Sequence, residues 1–149
     1  MTKLRVIAGL VLTGLIILWI AFIPPESRYE ALDQQLIHEV NLSLKQINPS
    51  WFEDERNFQE HMIGVFNLPS DFARHKSFES RITRSSEDNI TLTLSRRGLR
   101  DDSTEGIRYR VEYQFDSNMN SWQIKWAGTS VKCQPKRGPS FRWHKGPCS

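Results

Sequence analysis

Cysteine is scarce in this chain of 149 residues. Only Cys133 and Cys148 are present, and both lie near the carboxyl terminus. A single pair excludes a disulfide-dense scaffold, and it lacks the close C-x-x-C spacing of structural zinc sites. In an exported domain such a pair favours a disulfide, which we predict to close a loop over residues 133–148. A metal site that includes His144 is the less favoured alternative, so we predict no metal and no cofactor.

The chain also lacks the sequence motifs of the common enzyme classes. It contains no Gly-x-Ser-x-Gly, no phosphate-binding loop and no dinucleotide fingerprint. His38-Glu39 begins like the motif of zinc proteases, but Leu42 stands where the second histidine belongs. We therefore predict that the protein is not an enzyme and has no catalytic residues. A hydrolase that acts on an envelope polymer is the least favoured alternative.

Acidic residues are missing from both ends of the chain. All 17 lie between residues 26 and 131, whereas the last 18 residues carry five cations, interleaved with aromatic residues. Such a tail suits an anionic partner, because cations without acids repel one another. The alternative is a structural strap in which Phe141 and Trp143 belong to the core. We predict partner contacts at six tail residues: Lys136, Arg137, Phe141, Arg142, Trp143 and Lys145.

Charged residues are absent from the apolar run at residues 6–23. As a helix this run spans about 27 Å, close to the hydrocarbon thickness of a bilayer. We predict an uncleaved transmembrane signal-anchor here, with residues 1–5 in the cytoplasm, because Lys3 and Arg5 precede it. A cleaved signal is the alternative. The predicted location is the inner (cytoplasmic) membrane, single-pass, with a periplasmic domain over residues 27–149. Gly9 and Thr13 form a small-xxx-small pair that would suit oligomerisation through this helix.

The rest of the chain changes from helical to strand periodicity. Apolar residues at steps of three and four predict an amphipathic helix over residues 27–48, capped by Ser27, and a shorter one from Ser50 to about Phe66. Apolar and polar residues alternate over residues 77–131, which predicts a four-stranded antiparallel meander with one solvent-exposed face. The predicted fold class is α+β, with one or two helices on the sheet. The residues expected to face the helices are Tyr109, Val111, Tyr113, Trp122, Ile124 and Trp126.

The order of these elements is similar to that of a type IV pilin or pseudopilin: an apolar amino-terminal helix, a four-stranded meander and a cysteine pair near the end. The similarity covers the order of elements and no motif, and it implies a minor pilin-like component as an alternative function. Our main expectation is a non-catalytic, membrane-anchored binding or scaffolding subunit of a cell-envelope assembly. Its expected partners are other envelope proteins or an anionic envelope polymer, and nucleic acid is the unlikely partner.

Overall fold

The computed structural model describes residues 25–45, 50, 54–69, 72–74 and 77–149. Two α-helices lie in these ranges, and at 11 residues each they are about 16 Å long, half of what a bilayer requires. No helix among the described residues is long and apolar enough to cross a membrane. This finding contradicts the transmembrane helix of the predicted fold class and the predicted single-pass inner-membrane location. The run at residues 6–23, with Gly9 and Thr13, lies outside the described residues.

The first α-helix is shorter than predicted. It runs over Gln34–Leu44 (α1), and the Asp33 side chain caps it by accepting a hydrogen bond from the backbone N–H of Gln35 at 2.6 Å. The predicted cap at Ser27 is wrong, because the chain just before α1 is extended. Glu30–Ala31 forms a two-residue strand (β1), and the Leu32 N–H continues its pairing by donating to Ala127 O.

The second α-helix covers Glu55–Val65 (α2). Asp54 is its cap and accepts from the Arg56 backbone N–H at 2.9 Å, so the predicted cap at Ser50 is wrong. Hydrogen bonds from the Arg56 backbone and side chain hold the pKa of Asp54 below its usual value. Both helices begin at an aspartate because a short carboxylate satisfies free N–H groups of the first turn.

The described residues also form one antiparallel sheet of five strands. Besides β1 it contains Phe78–Ser86 (β2), Asn89–Arg97 (β3), Thr104–Asp116 (β4) and Ser121–Cys133 (β5), in the order β1-β5-β4-β3-β2. The predicted four-stranded meander is therefore one strand short. The missing strand is β1, whose Glu30 and Ala31 pair with Thr129 and Gly128 at the edge of β5. A strand of two residues is too short to show an alternating pattern, so the sequence did not indicate it.

The core lies between one face of the sheet and the two helices. It is built from Ile37 and Leu44 of α1, Phe58, Met62 and Val65 of α2, and alternate residues of β3, β4 and β5. Tyr109, Val111, Tyr113, Trp122 and Ile124 belong to it, as predicted. Both described α-helices therefore lie on the same face of the sheet.

Trp126 does not face the helices, and this prediction is wrong. Glu112 pairs with Trp126 whereas Tyr113 pairs with Ile124, so Lys125 is an extra residue in β5. A bulge of one residue reverses the faces of the residues that follow it. Ala127 consequently occupies the core, and the Trp126 ring meets Tyr29 on the other face, with 5.7 Å between ring centroids.

Candidate functional site

No helix among the described residues packs on the other face of the sheet, which we call the polar face because charged and hydroxyl side chains line it. Strand register brings alternate side chains of four strands together there. They are Glu79 and Arg81 on β2, Thr93, Ser95 and Arg97 on β3, Arg108, Arg110 and Glu112 on β4, and Trp126 and Lys132 on β5.

The carboxyl-terminal tail, residues 134–149, folds back onto this face. The predicted disulfide is present: Cys133 and Cys148 are joined, with 5.5 Å between their Cα atoms. The backbone of the tail is also attached to β5, because Val131 and His144 exchange two N–H···O hydrogen bonds of 2.9 and 3.0 Å. The tail is thus held both covalently and as a short extension of the sheet.

This attachment brings the Trp143 ring onto the arginines of the polar face. The Arg108 guanidinium lies 4.1 Å from the Trp143 ring centre, and the Arg97 guanidinium lies 5.8 Å from it. A stacked guanidinium retains its in-plane N–H groups for hydrogen bonding. Gly106 makes room for the ring, because a Cβ there would lie 3.0 Å from Trp143 Cη2 and 2.9 Å from Arg96 O.

A cleft of about 470 Å³ opens on the polar face beside Arg108. The amino-terminal segment closes one side of it through Tyr29, which packs on Trp126. Guanidinium and hydroxyl groups dominate the lining, and the exposed Glu79 contributes one carboxylate. The lining residues that bear on its chemistry are Tyr29, Glu79, Arg81, Thr93, Ser95 and Arg108.

The cations of the polar face differ in their pairing. Arg110 forms an ion pair with Glu112 at 2.6 Å, and Lys132 forms one with Glu105 at 2.7 Å. Among the described residues, Arg81 and Arg108 form none. The Nε of Arg108 is also buried and has no hydrogen-bond partner in this part of the chain. A buried donor without a partner is costly, so an acceptor from a ligand would stabilise this site.

The structure divides the six predicted site residues into two groups. Trp143 is half-buried against the polar face and does not belong to the helix–sheet core, in which the strap alternative places it. Lys136, Arg137, Arg142 and Lys145 are exposed, and so is Phe141, with 82% of its surface accessible. Arg142 lies over the Phe141 ring at 5.4 Å. The role of these residues in partner binding stays a prediction.

Sequence reasoning missed the cleft, because its residues come from distant parts of the chain. Arg108 and Arg110 were placed on a wet strand face by their alternation with Ile107, Tyr109 and Val111. No sequence signal indicates that Arg81 shares their face, since this depends on the register of β2 and β3. The cationic and aromatic composition of the tail is visible in the sequence, but its packing on Arg108 depends on the fold.

His61 and Asp101, which lie outside the cleft, have strongly shifted pKa values. His61 of α2 is largely buried beside Tyr113, and this burial lowers the pKa of His61 to about 4. Asp101, in the loop before β4, accepts hydrogen bonds from the backbone of Ser103 and Thr104, which lower its pKa to about 2. Both shifts follow from local structure, since burial disfavours charged imidazole and N–H donors favour a charged carboxylate.

One group of side chains in the described ranges has the composition of a metal site. Cys133, His144 and Cys148 each offer a ligand atom, and these atoms lie within 4.8 Å of one another. In the structure the two sulfur atoms are bonded to each other, and His144 Nε2 lies 3.0 Å from Cys133 Sγ.

We compared the chain with known proteins and found no match. The chain matches no protein-family model, no curated protein and no solved structure. The function must therefore be argued from the site itself.

Proposed function

We propose that this protein is a non-catalytic binding subunit that captures an acidic segment of a partner protein in the cleft beside Arg108. The observation that carries the proposal is the state of Arg108. Its guanidinium is stacked on Trp143, its Nε is buried without a hydrogen-bond partner among the described residues, and no acid of those residues pairs with it.

The position of Arg108 favours recognition of a carboxylate. The Trp143 ring holds the guanidinium plane before any ligand arrives, so less side-chain entropy is lost on binding. Arg81 lies on the same face, two strands away, and the hydroxyl groups of Thr93 and Ser95 lie between the two arginines. Two guanidinium groups and two hydroxyl groups together offer the donors that a carboxylate accepts.

The dimensions of the cleft indicate what kind of partner it receives. A volume of about 470 Å³ holds a few side chains, not a folded domain, so the occupant is a short segment. The carboxylate of Glu79 lines the cleft and repels other carboxylates, so it limits how many acidic side chains can bind there. The exposed cations of the tail would extend the contact along the segment, and their contribution is screened by salt.

Binding should be measured with the full-length chain and a defined probe. A poly-glutamate peptide is titrated against the protein, with Trp fluorescence as the signal, and a poly-glutamine peptide serves as the uncharged comparison. We expect Arg108→Gln to weaken poly-glutamate binding by about 10- to 100-fold, the effect of losing one charge-assisted hydrogen bond. Arg81→Gln should weaken it to a lesser degree, because Arg81 is exposed.

Arg84→Gln is the matched control, because Arg84 is an exposed arginine on β2 that lies outside the cleft. It should leave poly-glutamate affinity unchanged. Equal affinities of the Arg108→Gln, Arg84→Gln and unchanged proteins would contradict the proposal. The pair Arg137→Ala with Arg142→Ala tests the tail separately. A loss confined to that pair would place binding on the tail and not in the cleft.

A further inference from the structure

A second site lies at the end of β5, and its argument is independent of the proposed function. Cys133 is fully buried at the last position of the strand, and Cys148 reaches it from the tail. His144 Nε2 lies 3.0 Å from Cys133 Sγ. Two cysteine sulfurs and an imidazole nitrogen are the ligand types that zinc prefers.

The tautomer of His144 is the one that a metal ligand requires. Its Nδ1 lies 2.9 Å from the carbonyl oxygen of Lys145. A carbonyl only accepts hydrogen bonds, so Nδ1 carries a hydrogen, and in the neutral ring Nε2 then has the lone pair that a metal ligand needs. A hydrogen bond from the second ring nitrogen is the usual way in which proteins orient a histidine ligand.

Two of the three groups are held by the sheet and do not depend on the disulfide for their position. Cys133 belongs to β5, and the backbone of His144 exchanges two hydrogen bonds with Val131 of the same strand. Cys148 is also held near the site without its sulfur bond, because the neighbouring Ser149 N–H donates to Arg137 O at 3.1 Å. Cleavage of the S–S bond therefore leaves three ligand groups close together.

We propose that reduction of the Cys133–Cys148 disulfide converts this end of the sheet into a zinc site with Cys133, His144 and Cys148 as protein ligands. A dithiol reductant supplies two electrons and two protons, the S–S bond breaks, and the dithiol becomes a cyclic disulfide. Zinc then binds two thiolates, and two protons are released. The fourth position of the tetrahedron is left to water or an added ligand, as in three-ligand zinc sites.

The distances suit such a conversion. Tetrahedral zinc, with Zn–S of about 2.3 Å and Zn–N of about 2.0 Å, holds its ligand atoms about 3.5–3.8 Å apart. The ligand atoms of the three residues now lie within 4.8 Å of one another, and the sulfur–nitrogen pair is at 3.0 Å. Zinc binding requires that pair to move apart by about half an ångström, and the two sulfur atoms, once reduced, to separate to the same spacing.

The test compares oxidised and reduced full-length protein. The protein is reduced with a dithiol, desalted without oxygen and titrated with Co²⁺, whose thiolate charge-transfer and tetrahedral d–d bands report the ligands. We expect one Co²⁺ per reduced chain, displaced by Zn²⁺, and no such bands with the oxidised chain. His144→Ala should weaken binding by at least about tenfold. His38→Ala, which replaces an exposed histidine of α1, should leave it unchanged.

Any of three results in the cobalt titration would overturn the proposal: no tetrahedral cobalt spectrum after reduction, equal binding by the oxidised chain, or equal affinity of the His144→Ala and His38→Ala proteins. Circular dichroism accompanies each titration. If reduction lowers the strand signal and Zn²⁺ restores it, metal binding is coupled to folding and the proposal is supported. If the signal is lost and Zn²⁺ does not restore it, the proposal is wrong.

Discussion

Burial of His61 should make this protein lose stability in mild acid, before its carboxylates are protonated. The His61 ring lies on α2 against the Tyr113 ring, with 5.9 Å between centroids, inside the helix–sheet interface. Desolvation there lowers the pKa of His61 from 6.5 to about 4. In the unfolded chain the imidazole is in water and has its ordinary pKa.

The sign of the effect follows from which state binds the proton. Well above pH 6.5 His61 is neutral in both states and has no effect on the pH dependence of stability. Between 6.5 and about 4 the unfolded chain takes up a proton that the folded protein does not, so the free energy of unfolding falls. A shift of this size corresponds to about 3 kcal/mol once both states are protonated. By about pH 4.5 most of that loss, roughly 2.5 kcal/mol, has occurred.

Urea denaturation at about pH 7.5 and about pH 4.5 measures this loss directly. His61→Gln removes the titrating group, so the difference in unfolding free energy between the two pH values should shrink by about 2–3 kcal/mol. His38→Gln is the matched control, because it replaces an exposed histidine of α1, and it should keep the full difference. The pKa of Asp101 is about 2 in the folded protein and 3.8 in the absence of partners, so Asp101 loses its contribution to folding stability only at lower pH. An unchanged difference in His61→Gln would refute the reasoning.

Two further predictions concern the core and the disulfide. Val111→Ala should lower the free energy of unfolding by about 1–3 kcal/mol, because Val111 is fully buried between sheet and helices. Arg84→Ala, at an exposed position of β2, should change it by less than about 0.5 kcal/mol in the same urea titration, and equal effects would contradict the assignment of faces. Replacing both Cys133 and Cys148 by Ser should cost about 3 kcal/mol of stability. Thiol labelling of the denatured, unreduced protein should be near zero, and full labelling would exclude the disulfide.

Local patterns were sufficient for part of the fold and for little of the site. Alternation in β3 and β4 predicted which residues are buried, because a half-buried strand imposes its period on the sequence. The same rule failed at Trp126, because the extra residue Lys125 changes pairing without changing the apparent alternation. The predicted start of α1 was wrong because several residues near it can act as a cap, and strand pairing by β1 decides between them.

The sequence by itself determined the properties that depend on near neighbours: the change from helical to strand period, the single cysteine pair and the cationic tail without acids. Tertiary structure alone decided how two neighbouring arginines of β4 are paired. Arg108 and Arg110 differ by two positions on one strand, yet Glu112 pairs with Arg110, whereas Trp143 of the tail covers Arg108. The physical reason is that pairing and burial are set by strand register and by the return of the tail across the sheet. These contacts join residues far apart in the chain, so no local pattern encodes them.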